Sequence, residues 1–275
     1  MEQPSQKQKN ILATLAWFDV FGYPLTAVET VRYSKLFGEG ILLEEVFDLL
    51  EAIPQVEHRN GYYFLTGNEK HVASRQQRYR VAKRKLQRAR QAARFFGLLP
   101  SVRQVSLCNS LAIANAEEGS DIDFFLVCRP GTLWTTRLFL AGVLKLLGLR
   151  PTAKNQKDKF CLSFFVSENV SDLSRLELPD DDPYMRMWLA TLRCLSFSTL
   201  QSDCHYPMVL RTGRFVEKIA KRIQMKKFPE QIRKMANLDS RVVISDDILK
   251  FHVNDRREFF RDEYYKRLAV LGLKT

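Results

Sequence analysis

Val105-Ser-Leu-Cys-Asn-Ser-Leu-Ala-Ile-Ala-Asn-Ala-Glu-Glu-Gly-Ser-Asp-Ile-Asp-Phe-Phe-Leu-Val127 is the stretch on which the fold turns. It divides into a strand, predicted over 102–107, a small-residue turn that opens a short helix, a polar loop, and an apolar strand that begins with Asp121-Ile122-Asp123. Side chains alternate across a strand, so Asp121 and Asp123 share one face while Ile122 and Phe124 take the other. Two bare carboxylates ~4 Å apart repel by about 4 kcal/mol at an effective dielectric of ~20, and a divalent cation or a basic side chain has to offset that cost. An oxygen-only pair suits Mg2+, which accepts one or two carboxylates together with water and substrate phosphates. Ser110 and the amides after it stand where a helix begins, a position that favours phosphate.

Towards the N-terminus, the segment from Lys70 to Ala116 contains no Asp or Glu, while Arg75, Arg78, Arg80, Lys83, Arg84, Lys85, Arg88, Arg90 and Arg94 crowd one predicted helix. Tyr79, Ala82, Leu86, Ala89, Ala93 and Phe96 recur at helical spacing, so one stripe packs and the basic residues take the other faces. Acidic partners at i+4 are missing from this helix. Two readings follow: contact with a phosphate backbone through Arg75, Arg78, Lys83, Arg84 and Arg88, or a solvated connecting helix. The chain carries 43 Lys and Arg against 31 Asp and Glu, a net charge of +12, which gives a polyanion something to bind if the excess is clustered.

Before that helix come three apolar-periodic runs, punctuated at Gly22-Tyr23-Pro24 and Gly38 to Gly40. Thr26 and Glu29 have capping-box spacing, and Asn60-Gly61 between Val56–Arg59 and Tyr62–Leu65 signals a tight hairpin. Three short helices and a hairpin over residues 7 to 67 are similar to a winged helix-turn-helix. The third run holds Glu44, Glu45, Asp48 and Glu51 without Lys or Arg, which argues against duplex reading through it and for protein contact, with Arg59 the residue to watch.

The central motif, Cys108-Asn109-Ser110, ten residues, then Asp121-Ile122-Asp123-Phe124, resembles the signature of the polymerase-beta-like nucleotidyltransferase superfamily. It is closest to the minimal nucleotidyltransferase domains, including those that follow a winged-helix segment. The resemblance implies transfer of a nucleoside monophosphate from a nucleoside triphosphate to a hydroxyl, with Asp121 and Asp123 as catalytic residues and ligands of Mg2+ or Mn2+. It also implies a nucleotide site built from Asn109, Ser110 and Ser120, with Arg137, Lys154 and Lys157 reaching the triphosphate. Two positions depart from the pattern. Asn109 replaces the Gly before Ser, and tolerates the left-handed backbone better than other side chains do. The third carboxylate of the superfamily falls on the strand expected over 159–166, whose inward positions are Cys161 and Ser163; Asp158 and Glu168 have the other parity and substitute only if that strand bulges. A catalytically inactive protein of the same fold, binding nucleic acid or a protein, is therefore the alternative.

Beyond Pro183 the sequence predicts helices over 184–200, 209–227 and 252–271, the second again basic. Asp180, Asp181 and Asp182 precede the first of these, where negative charge suits a helix start. His58, His71, His205 and His252 are scattered, and Cys108 reads as packing rather than as a nucleophile. The expected architecture is α+β, a nucleotidyltransferase-fold core with a small mixed sheet and helices. Its parts are a winged-helix-like domain at 1–67, a basic connecting helix at 68–97, the core at 98–170 and a helical C-terminal region at 171–275. A hydrophobic fraction of 45% excludes a disordered chain. Five cysteines without C-x-x-C spacing exclude a disulfide scaffold and a zinc ribbon. The most apolar run, 138–149, is too short for a membrane span, so a cytoplasmic chain with no membrane partner and with RNA or DNA as the favoured acceptor is expected.

Overall fold

The strand expected after Asp121 forms as β4 (Ile122–Cys128) in a computed structural model, which describes residues 4–197 and 207–273. β3 (Val102–Leu107) runs antiparallel to it on one side, and β5 (Phe160–Ser167) parallel to it on the other. Beyond β3 lies β6 (Arg193–Phe197), and beyond β5 lie β8 (Ile248–Phe251) and β7 (Val242–Ile244), giving a mixed sheet of order β6-β3-β4-β5-β8-β7. A parallel pair needs a crossover, and α6 (Leu133–Leu146) provides it between β4 and β5. The protein is thus of the α+β class with a mixed sheet.

One face of the sheet builds the core. Ile122, Phe124 and Leu126 of β4 and Phe160, Leu162 and Phe165 of β5 pack there with Trp134, Leu140 and Leu144 of α6. Ala82, Ala89, Ala93 and Phe96, the apolar stripe of α4 (Lys70–Gly97), join them, as does Ala220 of α8 (Pro207–Lys227). Each large apolar side chain removed from water contributes about 1.5–3 kcal/mol. The opposite parity of β4 carries Asp123 and then Phe125, which meets Phe164 and Trp188 edge-on at 5.0 and 5.4 Å.

The β4–β5 register slips where the site lies. Asp123 pairs with Cys161 but Phe125 pairs with Phe164, so β5 spends one residue more than β4 over this interval. Such a bulge reverses which parity of β5 faces a given side. Cys161 before it and Phe164 after it therefore lie on the aspartate face.

Contacts group the chain into two units, the first comprising Met1–Arg80, Asp182–Met187 and Arg256–Thr275 and the second Val81–Asp181 and Trp188–Asp255. In the first unit, α1 (Gln6–Asp19), α2 (Ala27–Ser34) and α3 (Val46–Glu51) precede the hairpin of β1 (Val56–Arg59) and β2 (Tyr62–Leu65). The Thr26–Glu29 capping box forms at α2. Asn60 and Gly61 both have positive φ, 52° and 77°, the backbone that a two-residue hairpin turn demands. Buried Asp182 accepts from the Met185 amide at 2.8 Å and pairs with buried Arg257 at 2.7 Å, so the acidic turn caps a helix.

These boundaries differ from those drawn at 67, 97 and 170. The connecting helix expected over 68–97 is α4, of which Lys70–Arg80 groups with the first unit and the rest with the second. The C-terminal region is not helical throughout. α7 (Pro183–Thr191) stops short, and the expected helix over 184–200 gives way to β6, which extends the sheet beside β3. β7 and β8 were not foreseen: their Val and Ile favour strand, but runs of three and four residues become strands only because β5 offers an edge to β8 and β8 in turn to β7. α9 (Arg257–Val270) falls within the last expected helix, and its Tyr264 packs edge-on against Trp17 at 5.3 Å. Cys204 and His205 lie outside the described residues.

Candidate metal and nucleotide site

The mouth of β4 is pinned from both sides. The Ile122 amide donates to the Lys159 carbonyl at 2.8 Å, and the Cys108 amide donates to the Asp123 carbonyl at 3.2 Å. Those bonds set Asp121 and Asp123 beside the turn after β3 on one flank and beside the start of β5 on the other. One carboxylate oxygen from each aspartate and the Sγ of Cys161 all lie within 4.8 Å of one another, and all three residues are half-buried. Among the described residues this is the one group of three or more such side chains that converges closely enough to hold a metal ion.

Asn109 serves the pair directly. Its φ is 58°, the left-handed backbone in which Asn replaces Gly at least cost. Its side chain makes a hydrogen bond to Asp123, and its Oδ1 accepts from the indole Nε1 of Trp188 at 3.0 Å. Trp188 is itself stacked on Phe164, 5.3 Å between ring centres. The Asn109 amide is therefore held by a buried aromatic and turned onto a carboxylate. Ser110 follows, exposed, in the short helix expected there, α5 (Asn109–Ala112), which is a single turn.

Lys85 anchors the loop that leads into Asp121. It is fully buried, and its Nζ donates to the carbonyls of Ser120 at 2.5 Å and Glu118 at 3.1 Å while lying 2.9 Å from Asp158. Arg84 adds bonds to Asp158 at 2.6 Å and Glu118 at 3.0 Å, and Lys157 pairs with Glu118 at 2.6 Å. Ser120 also donates its hydroxyl to the Glu117 carbonyl at 2.9 Å.

The electrostatics of the aspartates follow from crowding. Burial, and after it the neighbouring charge of Asp123, pushes the Asp121 carboxyl up to about 6. Burial raises that of Asp123 as well. The Cys161 thiol is pushed up by burial and then by both aspartates. Burial likewise raises Cys108, which keeps that side chain a neutral packing group.

Several expected site residues stand elsewhere. Arg137 is buried in the core: it donates to Gln224 at 2.6 Å and lies over Phe251 and Phe228, so a role on triphosphate is withdrawn. Arg75 is withdrawn from phosphate contact because it is buried, pairs with Glu29 at 2.7 Å, donates to the Pro24 carbonyl and lies over Tyr23 and Tyr62. Arg78 donates to the Phe21 carbonyl, and Arg84 and Arg88 are turned onto Asp158. Lys83 remains exposed, as do Lys154 and Lys157. Asp158 is held by the basic helix and Glu168 by Arg103 at 2.9 Å, so neither completes the aspartate pair despite the bulge. Arg59 pairs with Glu69.

Sequence reasoning missed the clamp by Lys85, the Trp188–Asn109 bond, and the link from Ser163 to His252 at 3.4 Å. A lysine at a position that continues the Ala82–Ala89 stripe was the available sign for the first; the others join residues 79 and 89 positions apart and leave no local trace. Compared with family models, curated proteins and solved structures, the chain gives no match in any of the three.

Asp121→Asn is expected to stabilise the metal-free protein at neutral pH by about 1 kcal/mol, because it removes a carboxylate whose charged form the fold disfavours. The raised group contributes its stability below its unfolded value and loses it as pH climbs through about 6, so the gain should vanish by pH 4. Thermal melts in chelator across that range check the sign. Lys85→Met should cost about 3 kcal/mol in urea unfolding, since it strips a buried amine from Asp158 and two carbonyls.

Proposed function

We propose that this chain is a nucleotidyltransferase of the polymerase-beta-like type, transferring a nucleoside monophosphate from a nucleoside triphosphate to a hydroxyl acceptor, with nucleic acid favoured. The convergence of Asp121 and Asp123 beside the Asn109-Ser110 turn carries the reading. The donor set fits a divalent cation: two half-buried carboxylates that repel each other and whose charged forms gain from a positive neighbour. Bound there, such an ion polarises phosphate oxygens and lowers the barrier to attack. Asn109 holds Asp123 in orientation, Lys85 fixes the loop before Asp121, and Ser110, exposed beside them, is the side chain placed to meet outer phosphates. Positioning and fixed charge supply most of the rate in this chemistry, so few residues are needed. On this reading the first unit, with its three helices and hairpin, is the winged-helix-like part.

The reading as an inactive binding module draws on the absence of an acid at position 161. Among the cations of α4 that stay exposed, Lys83, Arg90 and Arg94 recur at helical spacing on one side and form a stripe suited to a polyanion.

Incubation of the full chain with each labelled nucleoside triphosphate, a divalent cation and a pool of RNA, DNA and protein should give label transfer that Asp121→Ala/Asp123→Ala reduces to background. Transfer equal in both would overturn the enzyme reading. If nucleic acid is the acceptor, replacing Lys83, Arg90 and Arg94 by Gln should lower the slope of log affinity against log salt by about 2 to 3, and an unchanged slope would remove the stripe from the interface.

A further inference from the structure

We infer that Cys161 is the third ligand of the site as a thiolate, and that the site takes a borderline divalent ion of the Zn2+ and Co2+ kind in preference to Mg2+. This rests on the reading above that Asp121 and Asp123 hold a metal.

Three observations carry it. The sulfur and the two carboxylate oxygens already lie within 4.8 Å of one another, and ligands across one ion lie up to about 4.4 Å apart when each bond is ~2.0–2.3 Å, so small side-chain rotations close the set. The β4–β5 register pairs Cys161 with Asp123 and so puts a sulfur, and no carboxylate, on that face, while Asp158 and Glu168 are engaged elsewhere. The sulfur is also backed: the Ser163 side chain makes a hydrogen bond to it, and Ser163 lies 3.4 Å from Nε2 of His252. Outer hydrogen bonds of this kind orient metal ligands and adjust their donor strength.

Ligand softness then sets the ion. Mg2+ is hard, prefers an all-oxygen octahedron and gives up water reluctantly, so a sulfur in a first coordination sphere of three protein donors works against it. Zn2+ and Co2+ accept carboxylate oxygen and thiolate sulfur together, and leave room for a substrate oxygen in the remaining position. On coordination the S–H bond of Cys161 is replaced by a sulfur–metal bond, and the proton passes to solvent.

The test is spectroscopic. Full-length protein is freed of metal with a chelator, returned to buffer and titrated with Co2+, whose bond to a thiolate gives a charge-transfer absorption in the near ultraviolet. Expected are that band at one equivalent, its loss in Cys161→Ser with weaker visible cobalt absorption retained, its persistence in Cys108→Ser, and its displacement by Zn2+ but not by excess Mg2+. Cys161→Asp should raise Mg2+ affinity by about tenfold or more, read by calorimetry. Binding of Co2+ or Mg2+ that needs Asp121 and Asp123 but shows no thiolate band would overturn this inference and leave the metal reading standing. A band that survives Cys161→Ser would overturn it too. No binding of any of the three ions would overturn both.

Discussion

Two carboxylates of like charge are held together, half-buried, at the mouth of one strand, and the surrounding architecture is arranged to make that tolerable. The strand cannot rotate them apart, because its Asp123 carbonyl is bonded to the turn after β3 and its Ile122 amide to the start of β5. Asn109 donates to one of them, and the buried amine of Lys85 lies behind the loop that carries the other. Neither contact neutralises the pair, as the elevated Asp121 carboxyl records. Unresolved repulsion of this kind is a cost to folding that persists where function requires it.

The basic helix is the second lesson. Its sequence lacks acids entirely, which reads as a surface waiting for phosphate, yet part of its charge is spent inside the protein. Arg75 finds Glu29, and Arg84 and Lys85 find Asp158, partners 46 and 74 residues away for the two arginines. Absence of acids within a helix therefore says little about pairing when the fold brings acids from elsewhere. What is left over, at Arg80, Lys83, Arg90 and Arg94, is a narrower stripe than the composition suggests.

Much of the central arrangement was legible beforehand. The alternation rule put Asp121 and Asp123 on one side, Asn109 was expected to accept a left-handed backbone and does, and Cys161 was placed inward. Local chemistry also fixed the Thr26 capping box and the Asn60-Gly61 turn. What escaped was non-local: β6, β7 and β8 exist because neighbouring strands offer them hydrogen bonds, and their runs are too short for their own preference to decide. Arg137 was misplaced for a related reason. An arginine on an apolar helix looks available, whereas Phe228 and Phe251 close over it from other elements.

The extra residue in β5 has an evolutionary corollary. Because pleat parity counts residues one by one, deletion of a single residue between Cys161 and Phe164 would only restore a regular ladder with both still on the aspartate side, whereas a deletion past Phe164 would exchange inside for outside along the remainder of the strand and bring Val166 to where Phe165 now sits. Length can therefore drift by one residue at the bulge but not in the regular ladder beyond it, and lineages descended from this chain should conserve the spacing from Phe164 to Ser167 more strictly than that from Cys161 to Phe164.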